Sequence, residues 1–167
     1  MKKYILLLIV PFLSFGQCIQ GDCDNGFGTY IFAGGEKYTG EFKDGKEHGI
    51  GAYYYANGNI FMGDIENGSP HGNGIQFLKA NTEENSTDSD IKILGNFQRG
   101  TKEGYATYYY PGGMEVIVEH KNGAMNGKGF IINDNDTMPA VFKNGKFVKV
   151  PCKYFNYENY ACDQLIE

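Results

Sequence analysis

The chain lacks the features that usually accompany nucleic-acid and anionic-membrane binding. Its 167 residues contain no tryptophan and only five prolines, and no cluster of lysine or arginine occurs in it. The formal net charge is −5, which gives a weak electrostatic match to nucleic acid or to an anionic bilayer surface. The sequence therefore predicts no nucleic-acid partner.

Catalytic constellations are missing as well. The chain has no Ser–His–Asp order, and no helix follows its frequent G-x-G pairs as a phosphate-binding loop would require. The acidic stretches 83–90 and 134–136 do not have the ligand spacing or the central glycine of a calcium loop. An even number of cysteines in an exported chain argues against a catalytic thiol. The expectation is a non-enzymatic protein without metal or cofactor.

Long apolar runs are absent apart from one at the amino terminus. Lys2 and Lys3 precede a nearly unbroken apolar run from Tyr4 to Phe15. At about 12 residues this run is short for a membrane-spanning helix, which takes roughly 20. Residues 1–17 are therefore predicted to be a signal peptide, and the protein is expected in the periplasm, at the cell surface or outside the cell. Phe15-Gly16-Gln17 matches a lipoprotein signal poorly, so no lipid anchor on Cys18 is expected.

What the chain has in abundance is glycine, tyrosine and phenylalanine, with 24, 13 and 12 residues. Such a composition is typical of many short strands and tight turns. The stretch YTGEFKDGKEHGIG at 38–51 recurs as FMGDIENGSPHGNG at 61–74. Repeat units begin at Gly26, Gly49, Gly72, Gly104 and Gly127, and the third contains a polar insertion at 80–90. A period near 23 with two glycine turns per unit predicts an array of β-hairpins.

The pattern Y-x-G-x-F/I-x-x-G-x-x-H-G-x-G resembles the MORN repeat family (membrane occupation and recognition nexus), over roughly residues 26–148. In the fourth unit Val116, Val118 and His120 replace the aromatic, glycine and aromatic positions of the pattern. The resemblance implies an all-β fold, an elongated single-layer antiparallel sheet of about five stacked MORN-type β-hairpin repeats. It also implies no catalytic domain, because family members that are enzymes carry one separately and the repeats here nearly exhaust the length.

Side-chain alternation in the strands supports the same fold independently. In each unit the glycines and the aromatic residues alternate onto the same face of the sheet. A ring from a neighbouring strand can lie across the space that glycine leaves. On the opposite face, an apolar strip runs from Ile50 through Tyr54, Met62 and Ile75 to Phe77. Two interpretations of this strip stay open, a surface that meets a partner or scattered exposed side chains.

Two cysteine-containing segments, 18–25 and 149–167, flank the repeats. They are predicted to cap the two ends of the sheet. Each hairpin advances roughly 10 Å along the stack, so five of them hold the two ends about 45 Å apart. A disulfide needs Cα atoms within about 7 Å. Of the three possible pairings, only Cys18–Cys23 with Cys152–Cys162 fits an elongated sheet.

The three histidines are predicted to be structural. The positions equivalent to His48 and His71 are Glu103 and Asn126 in later units, so this site requires a polar turn residue rather than a metal ligand. Successive hairpins would also separate the two imidazoles by about 10 Å, whereas donors lie about 2 Å from a shared zinc. His120 occupies an aromatic position of its unit and is expected to pack there.

Function is predicted only in outline, as a non-enzymatic scaffold that binds a protein or peptide partner at the cell envelope or outside the cell. The candidate binding residues share one aromatic face: Tyr30, Tyr38, Phe42, Tyr53, Tyr55, Phe61, Tyr108 and Tyr110. The alternative for these rings is that they only hold the hairpins together. Contact with membrane phospholipid, which the family name suggests, and stacking on a glycan are the remaining alternatives. The sequence does not indicate an oligomeric state.

Overall fold

The computed structural model describes residues 15–79, 90–133 and 136–149. Most of the predicted signal peptide, nearly all of the insertion and the carboxy-terminal cap with Cys152 and Cys162 lie outside the described residues. The strands are β1 (Gln17–Gly21), β2 (Phe27–Ile31), β3 (Lys37–Lys43), β4 (Lys46–Tyr54), β5 (Ile60–Glu66), β6 (Ser69–Leu78), β7 (Ile91–Gln98), β8 (Thr101–Tyr109), β9 (Glu115–Lys121), β10 (Ala124–Asn133), β11 (Asp136–Lys143) and β12 (Lys146–Lys149). None of the described residues forms a helix that is long and apolar enough to cross a membrane.

The strands form one antiparallel sheet in which spatial order equals chain order, from β1 to β12. Every described strand pairs with its neighbours in sequence, so each hairpin contacts the hairpins before and after it, as in other repeat proteins. The predicted single-layer stack of hairpins is confirmed. The first strand, β1, begins at the last residue of the predicted signal peptide, continues into the predicted amino-terminal cap and pairs with β2. The predicted Cys18–Cys23 disulfide is present, with a Cα–Cα distance of 6.0 Å.

Two kinds of turn alternate along the chain and therefore lie at opposite edges of the sheet. At the tight-turn edge, two-residue turns have both residues at positive φ: Asp44-Gly45, Asn67-Gly68, Arg99-Gly100, Asn122-Gly123 and Asn144-Gly145. These are type I′ turns, whose twist matches that of the flanking strands. The long-turn edge has wider connections at 32–36, 55–59 and 110–114. The glycine turns predicted from sequence are thus of two structural classes.

Successive tight turns are joined by main-chain hydrogen bonds that the repeat pattern did not indicate. In each turn the glycine N–H donates to a backbone carbonyl close to the preceding tight turn. The pairs are Gly45 to Asp24 (2.9 Å), Gly68 to Glu47 (2.9 Å), Gly100 to Pro70 (2.8 Å), Gly123 to Lys102 (3.1 Å) and Gly145 to Met125 (2.9 Å). The turn donors are thereby satisfied within the protein, and each hairpin is held in register with the next.

Strand register aligns the glycines into one row across the sheet. From β2 to β11 the row is Gly28, Gly40, Gly51, Gly63, Gly74, Gly95, Ala106, Val118, Gly129 and Ala140. A Cβ added at Gly51 would collide with the ring of Tyr38, and one at Gly74 would collide with the ring of Phe61. The glycines are therefore required because aromatic rings occupy the space above them, as the strand alternation predicted.

The buried side chains form two clusters along the sheet rather than one core. The first contains Tyr38, Phe42, Tyr53, Phe61, Ile65 and Phe97. The second contains Ile93, Ala106, Tyr108, Val116, Val118, Ala140 and Phe142. Gln76 stands between them, paired with Phe61 on one side and Ile93 on the other. An amide at this aromatic position interrupts the ring-on-ring packing near the middle of the sheet.

Candidate functional site

The eight aromatic residues predicted to bind a partner lie together on the face that carries the glycine row, here called the aromatic face. They divide by exposure into two groups. Buried ones are Tyr38, Phe42, Tyr53, Phe61 and Tyr108, at 8% exposure or less. Half-buried ones are Tyr30, Tyr55 and Tyr110. Whether any of the eight binds a partner stays a prediction, but the buried five present little surface in this conformation.

The buried rings are fixed by contacts at both ends. Tyr38 packs on Tyr53 with ring centroids 4.7 Å apart and on Phe42 at 5.2 Å. The Tyr38 hydroxyl lies 3.0 Å from the Glu41 carbonyl and 3.1 Å from that of His48, and Tyr53 donates to the Gly68 carbonyl at 2.9 Å. Burial raises the pKa of both phenols well above its ordinary value, so they remain neutral donors. These tyrosines join strands together.

Beside the buried rings lies a second set that we call the aromatic rim: Tyr30, Phe32, Tyr55 and Tyr110. Phe32, Tyr55 and Tyr110 directly follow β2, β4 and β8 at the long-turn edge, whereas Tyr30 lies on β2 opposite Tyr38. Tyr55 stacks on Tyr53 at 5.8 Å and Tyr110 stacks on Tyr108 at 6.2 Å, both with an interplanar angle of 18°. Tyr30 meets Phe32 edge to face at 5.0 Å. The buried set therefore supports a half-exposed set whose rings are already oriented.

The histidines do not converge on one site. His120 is buried and lies in its predicted aromatic position, stacked on Tyr108. Its Nδ1 lies 3.2 Å from the Val118 carbonyl, which assigns the proton there, so Nε2 accepts from the Tyr108 hydroxyl at 2.7 Å. His71 contacts Glu66 across 3.2 Å at the exposed tight-turn edge. Among residues 15–79, 90–133 and 136–149, no cluster of His, Cys, Asp or Glu is placed to hold a metal ion.

Carboxylates near the tight-turn edge have a structural use that the sequence pattern did not reveal. A register shift follows Gly40 in the β3–β4 pair and Gly63 in the β5–β6 pair, where the chain bulges at Gly49 and Gly72, both at φ 61°. Asp64 accepts from the backbone N–H of Asn73 at 2.9 Å, and Glu41 lies in the equivalent place beside Gly49. The signal was available, because an acid or amide directly follows the central position of the second strand, which is glycine in the first three units and Val118 in the fourth.

A comparison with sequence models of protein families matches the MORN repeat at residues 25–37, 38–60, 61–77 and 94–115. This chain is a MORN-repeat protein. Such repeats are in general non-catalytic modules, and they are consistent with a scaffold or binding role. The fifth MORN-type hairpin, β10–β11, lies beyond the matched segments but continues the same sheet. A search of curated proteins finds no significant match to the chain.

Proposed function

We propose that this MORN-repeat chain is a non-enzymatic scaffold that binds an extended protein or peptide segment along the aromatic rim. The observation that carries the proposal is the division of the aromatic face. Its buried rings provide the packing, whereas Tyr30, Tyr55 and Tyr110 remain half-exposed. Tyr55 and Tyr110 each stack on a buried tyrosine, and Tyr30 meets Phe32 edge to face. Tyrosines held in this way contact a partner with little further loss of side-chain entropy, and they offer an apolar ring with a polar end.

The spacing of the rim supports an extended ligand rather than a compact one. Phe32, Tyr55 and Tyr110 directly follow β2, β4 and β8, so the rim spans six strand spacings, about 29 Å. An extended peptide rises about 3.3 Å per residue, and roughly nine residues would reach from one end of the rim to the other. Aromatic rings distributed at this interval fit a segment that crosses the strands at their long-turn ends.

The proposed location is the cell envelope or the outside of the cell. Two features support it: the Cys18–Cys23 disulfide, since such bonds persist in oxidising compartments, and the charged start and apolar run of residues 1–17. The net charge of −5 argues for a protein surface rather than for anionic lipid headgroups as the partner.

The test is affinity capture from the envelope and secreted fractions with the wild-type chain and with a Tyr55→Ala/Tyr110→Ala variant. We expect the variant to lose the captured partners while its thermal midpoint falls by only a few degrees. The matched control is Tyr105→Ala, which removes a tyrosine that is 63% exposed on the opposite face and should leave capture unchanged.

Three results would contradict this function. Capture that survives in the double variant, or a double variant that no longer folds, would mean that the rim rings serve packing. Flotation of the wild-type chain with liposomes, lost in the double variant, would instead make membrane phospholipid the partner. Binding of the wild-type chain to a glycan array, lost in the double variant, would make the rim a glycan-binding surface.

A further inference from the structure

Four hairpins in succession place one apolar side chain at the same point of the long-turn edge. Phe32, Tyr55 and Tyr110 directly follow β2, β4 and β8, and Leu78 ends β6 in the equivalent position. All four alternate onto the aromatic face and are half-buried. We call this set the rim row. Its members recur once per hairpin, at an interval of two strand spacings, about 9.6 Å.

A segment that binds along the rim row crosses the strands instead of lying parallel to them. Within the described sheet, unpaired strand edges occur only at β1 and β12, the two ends of the stack. A ligand on the rim row therefore gains no ladder of main-chain hydrogen bonds, which is what stabilises a bound peptide in the β conformation. Its backbone either stays solvated, as in a polyproline II segment, or bonds internally, as in an α-helix.

The interval of the rim row distinguishes between these conformations. A polyproline II helix has three residues per turn and rises about 3.1 Å per residue, so its same side recurs about every 9.3 Å. The same side of an α-helix recurs after about 5.4 Å and, at the seventh residue, after about 10.5 Å. The same side of a β-strand recurs after about 6.6 Å. Of the three, the polyproline II turn agrees best with an interval of about 9.6 Å, so every third residue of such a segment meets one member of the rim row.

The tyrosines of the rim row have polar ends that suit the carbonyls of such a segment. Buried Tyr38, Tyr53 and Tyr108 use their hydroxyls for hydrogen bonds inside the sheet. The hydroxyls of Tyr55 and Tyr110, in contrast, have no partner among the described residues. The carbonyls of a polyproline II helix make no internal hydrogen bonds and accept from donors of this kind.

We propose that the rim row binds a proline-rich segment in the polyproline II conformation, with a proline at every third residue. This inference rests on the proposed function and names the class of partner. Four such prolines pack on the four members of the rim row, and about ten residues cover its length of about 29 Å. Proline loses no side-chain entropy on binding, and its ring fixes the backbone beforehand, so binding costs little conformational entropy.

The charge beside the rim row adds a preference for a cationic residue. Glu36 ends the long turn after β2, and within the described part of the chain its carboxylate forms no salt bridge. Burial and, as a smaller cause, the Glu36 carboxylate raise the pKa of Tyr55, which places this negative charge near the Tyr55 ring. A lysine or arginine at the end of the ligand that lies near Phe32 meets Glu36.

The experiment measures binding of labelled peptides to the full chain by fluorescence anisotropy. The first peptide has three Pro-Gln-Ala triplets, a closing proline and an arginine at each end. The second has the same composition, but its prolines alternate two and four residues apart. We expect saturable binding of the first peptide and at least ~5-fold weaker binding of the second, because fewer of its prolines meet the rim row.

Variants of the chain place the peptide on the rim row. Tyr55→Ala/Tyr110→Ala should weaken binding of the first peptide at least ~10-fold, and Tyr55→Phe/Tyr110→Phe about 3-fold, since the latter removes only hydroxyls. Circular dichroism establishes folding, and the phenylalanine pair decides the outcome if the alanine pair is unfolded. Tyr105→Ala, on the opposite face, is the matched control and should bind normally. Glu36→Gln should weaken the first peptide but not a version with glutamine ends.

Several results would overturn this inference. One is the lack of saturable binding by the first peptide, and another is equal binding of the two peptides, which would mean that the rim row does not recognise a three-residue period. Peptide binding that is unchanged in folded rim-row variants would place the site elsewhere. Partners that are captured through Tyr55 and Tyr110 but are not displaced by the first peptide would exclude a proline-rich ligand and leave the scaffold function intact.

Discussion

At the scale of single residues, the fold depends on glycines, which have no side chain and leave space for neighbouring rings. Gly51 is in the row because the ring of Tyr38 lies over it, and Gly74 is there because of Phe61. Where the row changes to Ala106 and Val118, the ring that covers a glycine elsewhere is replaced by the smaller Ile93 and Val116 in the aligned positions.

Adding one methyl group at a glycine of the row tests whether the ring above it leaves space for a side chain. Gly51→Ala should lower the free energy of unfolding by about 1–2 kcal/mol, because overpacking outweighs the entropy that alanine removes from the unfolded chain. Chemical denaturation measures the change. Gly34→Ala is the control, since nothing lies within 4 Å of a Cβ there. Equal stability of Gly51→Ala and the wild type would show that the Tyr38 ring is not confined by the glycine.

His120 predicts a dependence of stability on pH. Burial lowers the pKa of its imidazole below the ordinary value of 6.5. The unfolded chain therefore takes up the proton first as the pH falls. Stability is full above about pH 6.5 and declines as the pH falls from there toward the folded-state pKa, by at most about 1.4 kcal/mol per pH unit.

The measurement is the free energy of unfolding from pH 8 to pH 5 for the wild type and His120→Phe. The variant should be less stable at high pH, because the Tyr108 hydroxyl loses its acceptor at 2.7 Å, but it should lack the decline between pH 6.5 and 5. A decline that persists in the variant would assign the titration to another group.

At the scale of elements, the tight turn is the unit that repeats most faithfully. Its first residue is Asp or Asn in four of the five turns, which suits the left-handed conformation, and its glycine N–H bonds to the preceding hairpin in all five. Arg99 is the exception, a long side chain at φ 51°. The strain of that backbone conformation is retained because the strands on both sides set the register of the turn.

The residues at this position in the other repeats indicate a substitution of Arg99 that should increase stability. Arg99→Asn should raise the free energy of unfolding by up to about 1 kcal/mol, since asparagine tolerates the left-handed region better than most residues. Arg99→Ala keeps the unfavourable backbone conformation and should bring no such gain. Thermal and chemical denaturation compare the three chains. A gain with alanine equal to that with asparagine would trace the effect to the lost charge instead.

At the scale of the whole molecule, the described chain behaves as a one-dimensional array. Every described strand pairs only with its neighbours in sequence, and the buried side chains form two clusters rather than one. At the first end of the sheet, the sulfur of Cys23 lies above Gly28, in the place that the Tyr38 ring takes above Gly51. The disulfide therefore ends the glycine row where no further hairpin supplies a ring.

Removal of this bond should have a local effect. A Cys18→Ser/Cys23→Ser chain loses a five-residue crosslink, worth about 2 kcal/mol in the loop-entropy account. Because neighbouring hairpins hold one another, amide hydrogen exchange should accelerate in β1 and β2 and stay unchanged in β8 to β11. Acceleration throughout the sheet would show that the described chain unfolds as a single cooperative unit.

The sequence by itself determined the period, the number of hairpins and the face on which glycine and aromatic rings lie. These follow from strand alternation and from turn residues, which act over a few positions of the chain. It also predicted the Cys18–Cys23 bond, because an elongated stack leaves only local pairings within reach. Residues such as Tyr38 and Gly51 thus carry their structural roles in the pattern itself.

Only the tertiary structure decided which rings are buried and which form the rim. Tyr53 and Tyr55 are alike in sequence, yet one is enclosed by strands on both sides and the other lies where its strand ends. The bonds between successive tight turns also required the register of all the strands at once. Burial and alignment across a sheet depend on neighbours distant in the chain, and a local pattern does not contain them.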